Sequence, residues 1–359
     1  VAETLSGNQM GTRCVESKAF PLFDRFPELA VLPRVELGTF PTPVTRVELP
    51  EARELWLKRD DQNAVVVGGN KVRALEFLLG SLAPGEVVVT AGGMGSNHVY
   101  ATAVHAARLG GRTIAARWPH EMGPEARTVS EAARAVCATT VDYGWIGGAL
   151  IRVAAWRVGA GVSAAAGTGP GAGRRYLPIG GSTPLGILGH VNAGLELGRQ
   201  IAAGDLPDPS HVVVPLGSGG TAAGLSLGLG ITGSRATVVA ARVAPRVVAN
   251  ITRIRVLIER TRRLMRRISG VRYELSAAPV LVDHTVYGGA YGRPLAAGDD
   301  AAALLRGAGS GLESLTLDST YAAKAAATAL AIGGDRTVGR ASTRVMLWVT
   351  FDGRVVPTR

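Results

Sequence analysis

Short, almost unbroken apolar runs alternate with segments of helical periodicity along most of this 359-residue chain. "EVVVTA" (86–91), "RTIAARW" (112–118), "HVVVPLG" (211–217), "ATVVAARV" (236–243) and "RVMLWVT" (344–350) lack the polar alternation of a strand with one wet face. Strands apolar on both sides must be covered on both sides, and parallel strands need a long crossover between them. The order therefore demands an α/β fold of parallel sheets with helices on both faces. "ELWLK" (54–58), "TTVDY" (139–143), "YLPIG" (176–180) and "SLTLD" (314–318) read as further short strands. "GTGPGAGRR" (167–175) reads as a loop. In such sheets ligands sit beyond the carboxyl ends of the strands. The glycine turns that follow strands are the places to search for a site.

Composition narrows the function classes. The net charge is +11, but aromatics are 5% and no nucleic-acid motif occurs, so no nucleic-acid partner is expected. The densest basic run, 253–267, carries Ile254, Val256, Leu257 and Leu264 as one apolar stripe and reads as a helix with a solvated basic face. Cys14 and Cys137 are far apart and suggest neither a disulfide framework nor a metal site, which suits a reducing, cytoplasmic setting. The first thirteen residues have no apolar core of signal-peptide length, and no run approaches ~18 uninterrupted apolar residues, so no membrane partner is expected. The richest candidate, 149–167, is broken by Arg152 and Arg157.

Three glycine turns draw attention. "PLGSGGTAAG" (215–224) follows a strand and opens a helix, so Gly217, Ser218, Gly219, Gly220 and Thr221 offer unobstructed N–H groups at a helix N-terminus, a cradle for phosphate. The same residues satisfy G-x-G-x-x-A, the dinucleotide fingerprint. That fingerprint wants an acid about 20 residues on. Here none occurs before Glu259, although Arg242 leaves an NADP site open. A third reading is glycine serving close helix–strand packing. "TAGGMGSNHVYA" (90–101) places Ser96 and Asn97 at a helix start, either as plain caps or as groups for a carboxylate, with His98 beside them. "GGNKVRALEFLLG" (68–80) sets Lys71 at the mouth of a helix whose Leu75, Leu78 and Leu79 share one face. A cation is poorly placed at the positive end of a helix dipole. Only four of the 39 Lys+Arg are lysines, namely Lys18, Lys58, Lys71 and Lys324, so each is a candidate for chemistry that arginine cannot perform.

"LKRDDQNAVVVGGNKVRALEFLLG", "TAGGMGSNHVYATA", "IGGSTPLGILGHVNAG", "GSGGTAAGLSLGL", "YGGAYGRP" and "LDSTYAAKA" occur in this order. From about residue 35 to 330 the chain thereby resembles the D-cysteine desulfhydrase/1-aminocyclopropane-1-carboxylate deaminase family. These are fold-type-II pyridoxal-phosphate enzymes related to the tryptophan synthase β-subunit. The resemblance implies two domains with open twisted parallel sheets covered by helices: a large cofactor-binding domain, 1–73 and 183–359, and a small one, 74–182. It implies pyridoxal 5′-phosphate held as a Schiff base by Lys71, with Gly217, Ser218, Gly219, Gly220 and Thr221 on its phosphate and Asn97 on the ring oxygen. It implies Ser96 at the substrate carboxylate or in proton transfer, with Asn97 and His98 lining the substrate, and Tyr291 and Tyr321 as active-site tyrosines. A homodimer acting on a small amino acid is the family's pattern.

The chain also departs from that pattern. Ala322 stands where the family has glutamate or threonine beside the pyridine nitrogen. Gly95 replaces a glutamine, and "WVTFDG" (348–353) replaces a histidine-containing motif. The expected activity is that of a lyase or deaminase: α-proton removal by Lys71 and β-elimination to a keto acid and ammonia. Ring opening and β-replacement are the neighbouring alternatives. An NADP-dependent reductase and a catalytically inactive ligand-binding homologue are the alternatives from other classes.

Overall fold

The computed structural model describes residues 20–50, 53–159, 174–270, 273–309, 311–334 and 343–354. Cys14, the first thirteen residues and most of the 167–175 loop lie outside them. In chain order the elements are α1 (Pro21–Arg25), β1 (Val44–Leu49), β2 (Arg53–Arg59), α2 (Asn70–Leu78), β3 (Val87–Gly93), α3 (Asn97–Arg108) and β4 (Arg112–Trp118). Next come α4 (Pro124–Val136), β5 (Thr139–Asp142), α5 (Ile146–Gly159), β6 (Arg174–Tyr176), α6 (Pro184–Ala203), β7 (His211–Leu216) and α7 (Gly220–Thr232). The chain continues with β8 (Thr237–Arg242), α8 (Ile251–Ser269), β9 (Val280–Asp283), α9 (Ala296–Gly307), α10 (Ala322–Gly334) and β10 (Val345–Val349).

The strands form a six-stranded sheet in the order β1-β2-β10-β7-β8-β9 and a four-stranded sheet in the order β5-β4-β3-β6. All neighbours are parallel except β1, which runs antiparallel to β2 at the edge. That antiparallel edge strand was not expected from the sequence, although "VTRVEL" has the alternation of a strand with one wet face: Val47 and Leu49 are buried, Arg46 and Glu48 exposed. Three other expectations are corrected. "SLTLD" forms no strand; it turns, and Asp318 takes the backbone N–H groups of Tyr321 and Ala322 that open α10. The short strand near 176 comes earlier, at Arg174–Tyr176, because Pro178 has no N–H to give a ladder and Gly180 takes φ +72°. Val256 lies off the α8 stripe and is 43% exposed, while Ile254 and Leu257 are buried.

Helix ends follow side-chain chemistry. Thr183 accepts from Gly186 N–H with Pro184 in the first turn of α6, and Asn250 accepts from Arg253 N–H at the start of α8. The faces of α6 and α7 are glycine and alanine where they cross, and a Cβ on Gly194 would lie 2.8 Å from Gly228 Cα. This close approach brings His190 of α6 beneath the first turn of α7. Both faces of the large sheet are apolar: Val213, Val239 and Leu347 pack into one core, Val212, Val214 and Trp348 into another.

Lys58 is fully buried in a four-charge cluster with Glu196, Arg73 and Asp60. It donates to Glu196, Gln200 and the Thr42 carbonyl, while Arg73 bridges Asp60 at 2.7 Å and Glu196 at 2.9 Å. Two cations and two anions thus cancel. Burial pushes Glu196 up, but Arg73 and then Lys58 outweigh it and bring its carboxyl down to about 2. Glu196→Gln leaves two buried cations facing one acid and should cost about 3–5 kcal/mol, read as a lowered denaturation midpoint. Because the folded value is depressed, the contribution is complete above the unfolded carboxyl value near ~4.3 and is lost as pH falls from there towards about 2. The wild type should lose stability across that window and the variant should lose less.

Candidate active site

Lys71 is the second residue of α2, and the turn before it requires glycine. Gly69 has φ +97°, and a Cβ there would stand 2.6 Å from the Thr350 carbonyl. Asn70 N–H donates to that same carbonyl at 3.2 Å, so the helix start is moored to the carboxyl end of β10. Asn63 closes a pair of bonds with Gly69, through its N–H and its carbonyl. The Lys71 amine is lowered to about 8 by desolvation. Its charge also acts on two buried histidines: His98 is pulled down to about 3, and His190 well below its ordinary value, by burial first and the Lys71 charge second.

The β7–α7 turn is joined to the start of α2 through Asn70. Gly219 is left-handed at φ +91°, and the first turn of α7 presents its N–H groups outward. Ser218 and Ser182 hydroxyls are 2.7 Å apart, and Gly220 N–H donates to Ser182. A Cβ at Gly220 would fall 2.5 Å from Ser182 Oγ, so glycine keeps this cradle open. Thr221 accepts from Asn70 Nδ2 at 2.8 Å and lies 3.5 Å from His190 Nε2, which ties the turn to the neighbour of Lys71. Arg253 braces the turn through the Ser218 carbonyl. Arg242, the candidate for a 2′-phosphate, is bonded instead to His284 Nδ1 and the Ala244 carbonyl, with its guanidinium over the Tyr287 ring.

The β3–α3 turn closes the third side. Ser96 caps α3, its Oγ accepting from Val99 N–H at 3.4 Å, and Asn97 is half-buried in the first turn. His98 is buried with Nε2 2.9 Å from Thr90 Oγ1. The fourth side is a tyrosine pair, Tyr291 and Tyr321, sharing a short hydroxyl–hydroxyl hydrogen bond. Burial pushes Tyr291 up to about 12 and Tyr321 well above its ordinary value, so both phenols are protonated at neutral pH. A Cβ on Gly217 would touch the Tyr321 ring at 3.3 Å, which places that ring beside the cradle. Ala322, next in α10, is wholly buried.

The sequence-predicted residues thus converge from both sheets. Reading residues did not single out His120, Asp318 or the link made by Lys324. His120 follows β4 and packs on Tyr291 with ring centroids 4.7 Å apart. Its place just past the carboxyl end of a parallel strand was the available signal. Asp318, raised to about 6 by burial, holds the Tyr321 backbone, and Lys324 donates to the Tyr287 carbonyl at 3.1 Å. Among the described residues no cluster of His, Cys, Asp and Glu could hold a metal, and no helix is long and apolar enough to cross a membrane.

The residues fit pyridoxal phosphate: an anion cradle of N–H and O–H donors, free of acidic side chains from 217 to 224, lies one hydrogen bond from the residue beside a deprotonatable lysine. Comparison with known proteins agrees. Residues 35–346 match the family described as pyridoxal-phosphate dependent enzyme. Nocardicin C-9′ epimerase of Nocardia uniformis subsp. tsuyamanensis is 37% identical over 301 residues, 83% of this chain and 87% of that protein. D-cysteine desulfhydrase of Salmonella choleraesuis (strain SC-B67) is 31% identical over 325 residues, 83% of this chain and 88% of that one. A solved structure described as an ACC deaminase homologue superposes with a TM-score of 0.69 at 27% identity, over 93% of this chain and 95% of its own. The chain belongs to the pyridoxal-phosphate dependent enzyme family, and is a fold-type-II enzyme of the D-cysteine desulfhydrase/ACC deaminase type.

Proposed function

We propose that the chain uses the Lys71 amine to remove the α-proton of a small amino acid and then eliminates a β-substituent, giving a keto acid and ammonia. The observation that supports this most is the lysine itself. It is anchored through Gly69 and Asn70, lowered to about 8 by desolvation, and has two neutral histidines beside it. At neutral pH such an amine has an accessible unprotonated form, as a general base needs. Pyridoxal phosphate, when bound, supplies the electron sink that makes the α-C–H acidic. Lys71 would hold it covalently, the 217–221 turn its phosphate, and Asn97 its ring oxygen. The Ser96 hydroxyl and the first N–H groups of α3 would orient the substrate carboxylate. The Tyr291–Tyr321 pair, protonated at neutral pH, would donate a hydrogen bond to a departing β-group.

A second reading is inversion at the α-carbon without elimination, favoured by the 37% identity to an epimerase. Both begin with the same proton transfer and differ in the fate of the β-substituent. Incubation with D- and L-amino acids in D₂O separates them: keto acid and ammonia mark elimination, while deuterated substrate of the opposite hand marks inversion. Neither product from any amino acid tried, including D-cysteine and β-chloroalanine, would contradict the proposal.

Ala322 supports elimination over ring opening. Its N–H is taken by Asp318 Oδ1, and its methyl group offers no hydrogen bond. If this position faces the pyridine nitrogen, the ring there stays neutral and is a weaker electron sink than one beside a carboxylate. Loss of a good β-leaving group tolerates that better than cleavage of a carbon–carbon bond. Steady-state assays of D-cysteine, β-chloroalanine and 1-aminocyclopropane-1-carboxylate should show the first two turning over and the third not. Ala322→Glu should shift the balance towards ring opening. Efficient ring opening by the wild type, or no response to Ala322→Thr or Ala322→Glu, would refute the ranking.

A further inference from the structure

His120 occupies a slot built for it. A Cβ on Gly93 would lie 2.4 Å from its Cδ2, and one on Gly292, at φ +83°, 2.4 Å from its Nδ1. Glycine on each side therefore admits the ring. Its Nδ1 is 2.6 Å from the Glu121 carbonyl, which can only accept, so the proton is on Nδ1. Its Nε2 is then free to accept, and takes the Gly95 N–H at 3.2 Å. Gly95 precedes Ser96 and Asn97 in the β3–α3 turn, while Tyr291, packed on the His120 ring, is bonded to Tyr321 just before α10. Two further bridges tie the segment after β4, which carries His120, to the loops that carry the tyrosines: Glu121 with Arg293 at 2.7 Å, and Ser319 Oγ with Glu125 at 3.2 Å.

We propose that His120 is a positioning residue that clamps the substrate-facing turn 93–98 to the tyrosine pair, and that it does so only as the neutral Nδ1–H tautomer. Protonation of Nε2 would set an N–H against the Gly95 N–H, two donors with no acceptor, and the clamp would open. The groups facing His120 leave the clamp governed by its own proton. Glu121 and Arg293 neutralise each other, Tyr291 and Tyr321 are protonated phenols, and of the remaining charges Asp318 acts on the tyrosines while Lys324 acts on Asp318, Glu121 and Arg293. Burial holds His120 below its ordinary value. The clamp is therefore intact at neutral pH and is lost as pH falls through that depressed value. Its bond also withholds the Gly95 N–H from ligand, leaving the carboxylate to Ser96 and the α3 N-terminus.

The proposal deepens the reading of this cleft as the active site, and its first test does not depend on that reading. In the cofactor-loaded protein, backbone amide exchange of residues 93–97 is followed by mass spectrometry at pH 5 to 8. After correction for intrinsic exchange, the wild type should lose protection on the acid side. His120→Ala and His120→Phe should exchange about five- to tenfold faster at neutral pH, the loss of one hydrogen bond. His120→Gln, which keeps an acceptor but cannot titrate, should be protected at every pH. Solvent exchange of the α-proton of D- and L-alanine supplies the second readout, with KM raised more than kcat is lowered in the alanine variant. Wild-type protection in both His120→Ala and His120→Phe, or an acid limb retained in His120→Gln, overturns the clamp. Absent α-proton exchange in a wild type with intact protection overturns the proposed chemistry and leaves the clamp standing.

Discussion

Lys71→Ala should abolish covalent attachment of pyridoxal phosphate and reduce turnover by at least about 10³-fold, because one group serves as both anchor and base. The fold should survive. Alanine is a good helix former, and the mooring of α2 runs through the Gly69 and Asn70 backbone and the Asn63 side chain rather than the lysine. Lys71→Arg should be nearly as inactive despite keeping the charge, since guanidinium does not release a proton at working pH. In the wild type, the rate at which cofactor-free protein captures pyridoxal phosphate should rise as pH passes through about 8, where the amine deprotonates. Retained turnover in Lys71→Ala would assign the chemistry to another lysine.

Gly219→Asp should weaken cofactor binding by about 10²-fold or more, and two effects act together. At φ +91° an L-residue is strained by about 1–3 kcal/mol, which distorts the turn. A Cβ there points at Leu216, Ile254 and Leu257, so the carboxylate would also meet an apolar wall with no partner and push the turn further out of shape. Gly219→Ala separates the two, carrying strain without charge, and should lose affinity by a smaller factor. Equilibrium dialysis of pyridoxal phosphate against the three proteins checks this. Wild-type affinity in Gly219→Asp would place the phosphate elsewhere, and preferential binding of NADP by the wild type would revive the dinucleotide reading.

The parts of the fold legible in the sequence were those whose physics is local. Strands β3, β4, β7, β8 and β10 are apolar on both sides and announce burial without reference to partners. Helices α4 and α6 begin where Pro124 and Pro184 fix the first turn. β1 was missed because it has the alternation of a half-wet antiparallel strand, Val47 and Leu49 in and Arg46 and Glu48 out, whereas the other strands are recognised by unbroken apolar runs. "SLTLD" was misread because alternation of Leu315 and Leu317 satisfies a strand pattern, which masked the local signal that decides the segment, Asp318 capping the start of α10. At the site, Lys71 and the 217–221 turn stand out through residue chemistry and glycine spacing. Asp318 and His120 do not, since each acts through a backbone group: Asp318 on the N–H groups of Tyr321 and Ala322, His120 on the distant Gly95 N–H.

The most direct test of the account is borohydride reduction of the protein loaded with pyridoxal phosphate, with proteolysis and mapping of the modified lysine. The chain has only four lysines, so the assignment is unambiguous. The account predicts a yellow protein that bleaches on reduction, with the cofactor mass on the peptide containing Lys71 alone. Modification of Lys324 or Lys58 with Lys71 unmodified, or a colourless protein without adduct, would contradict it.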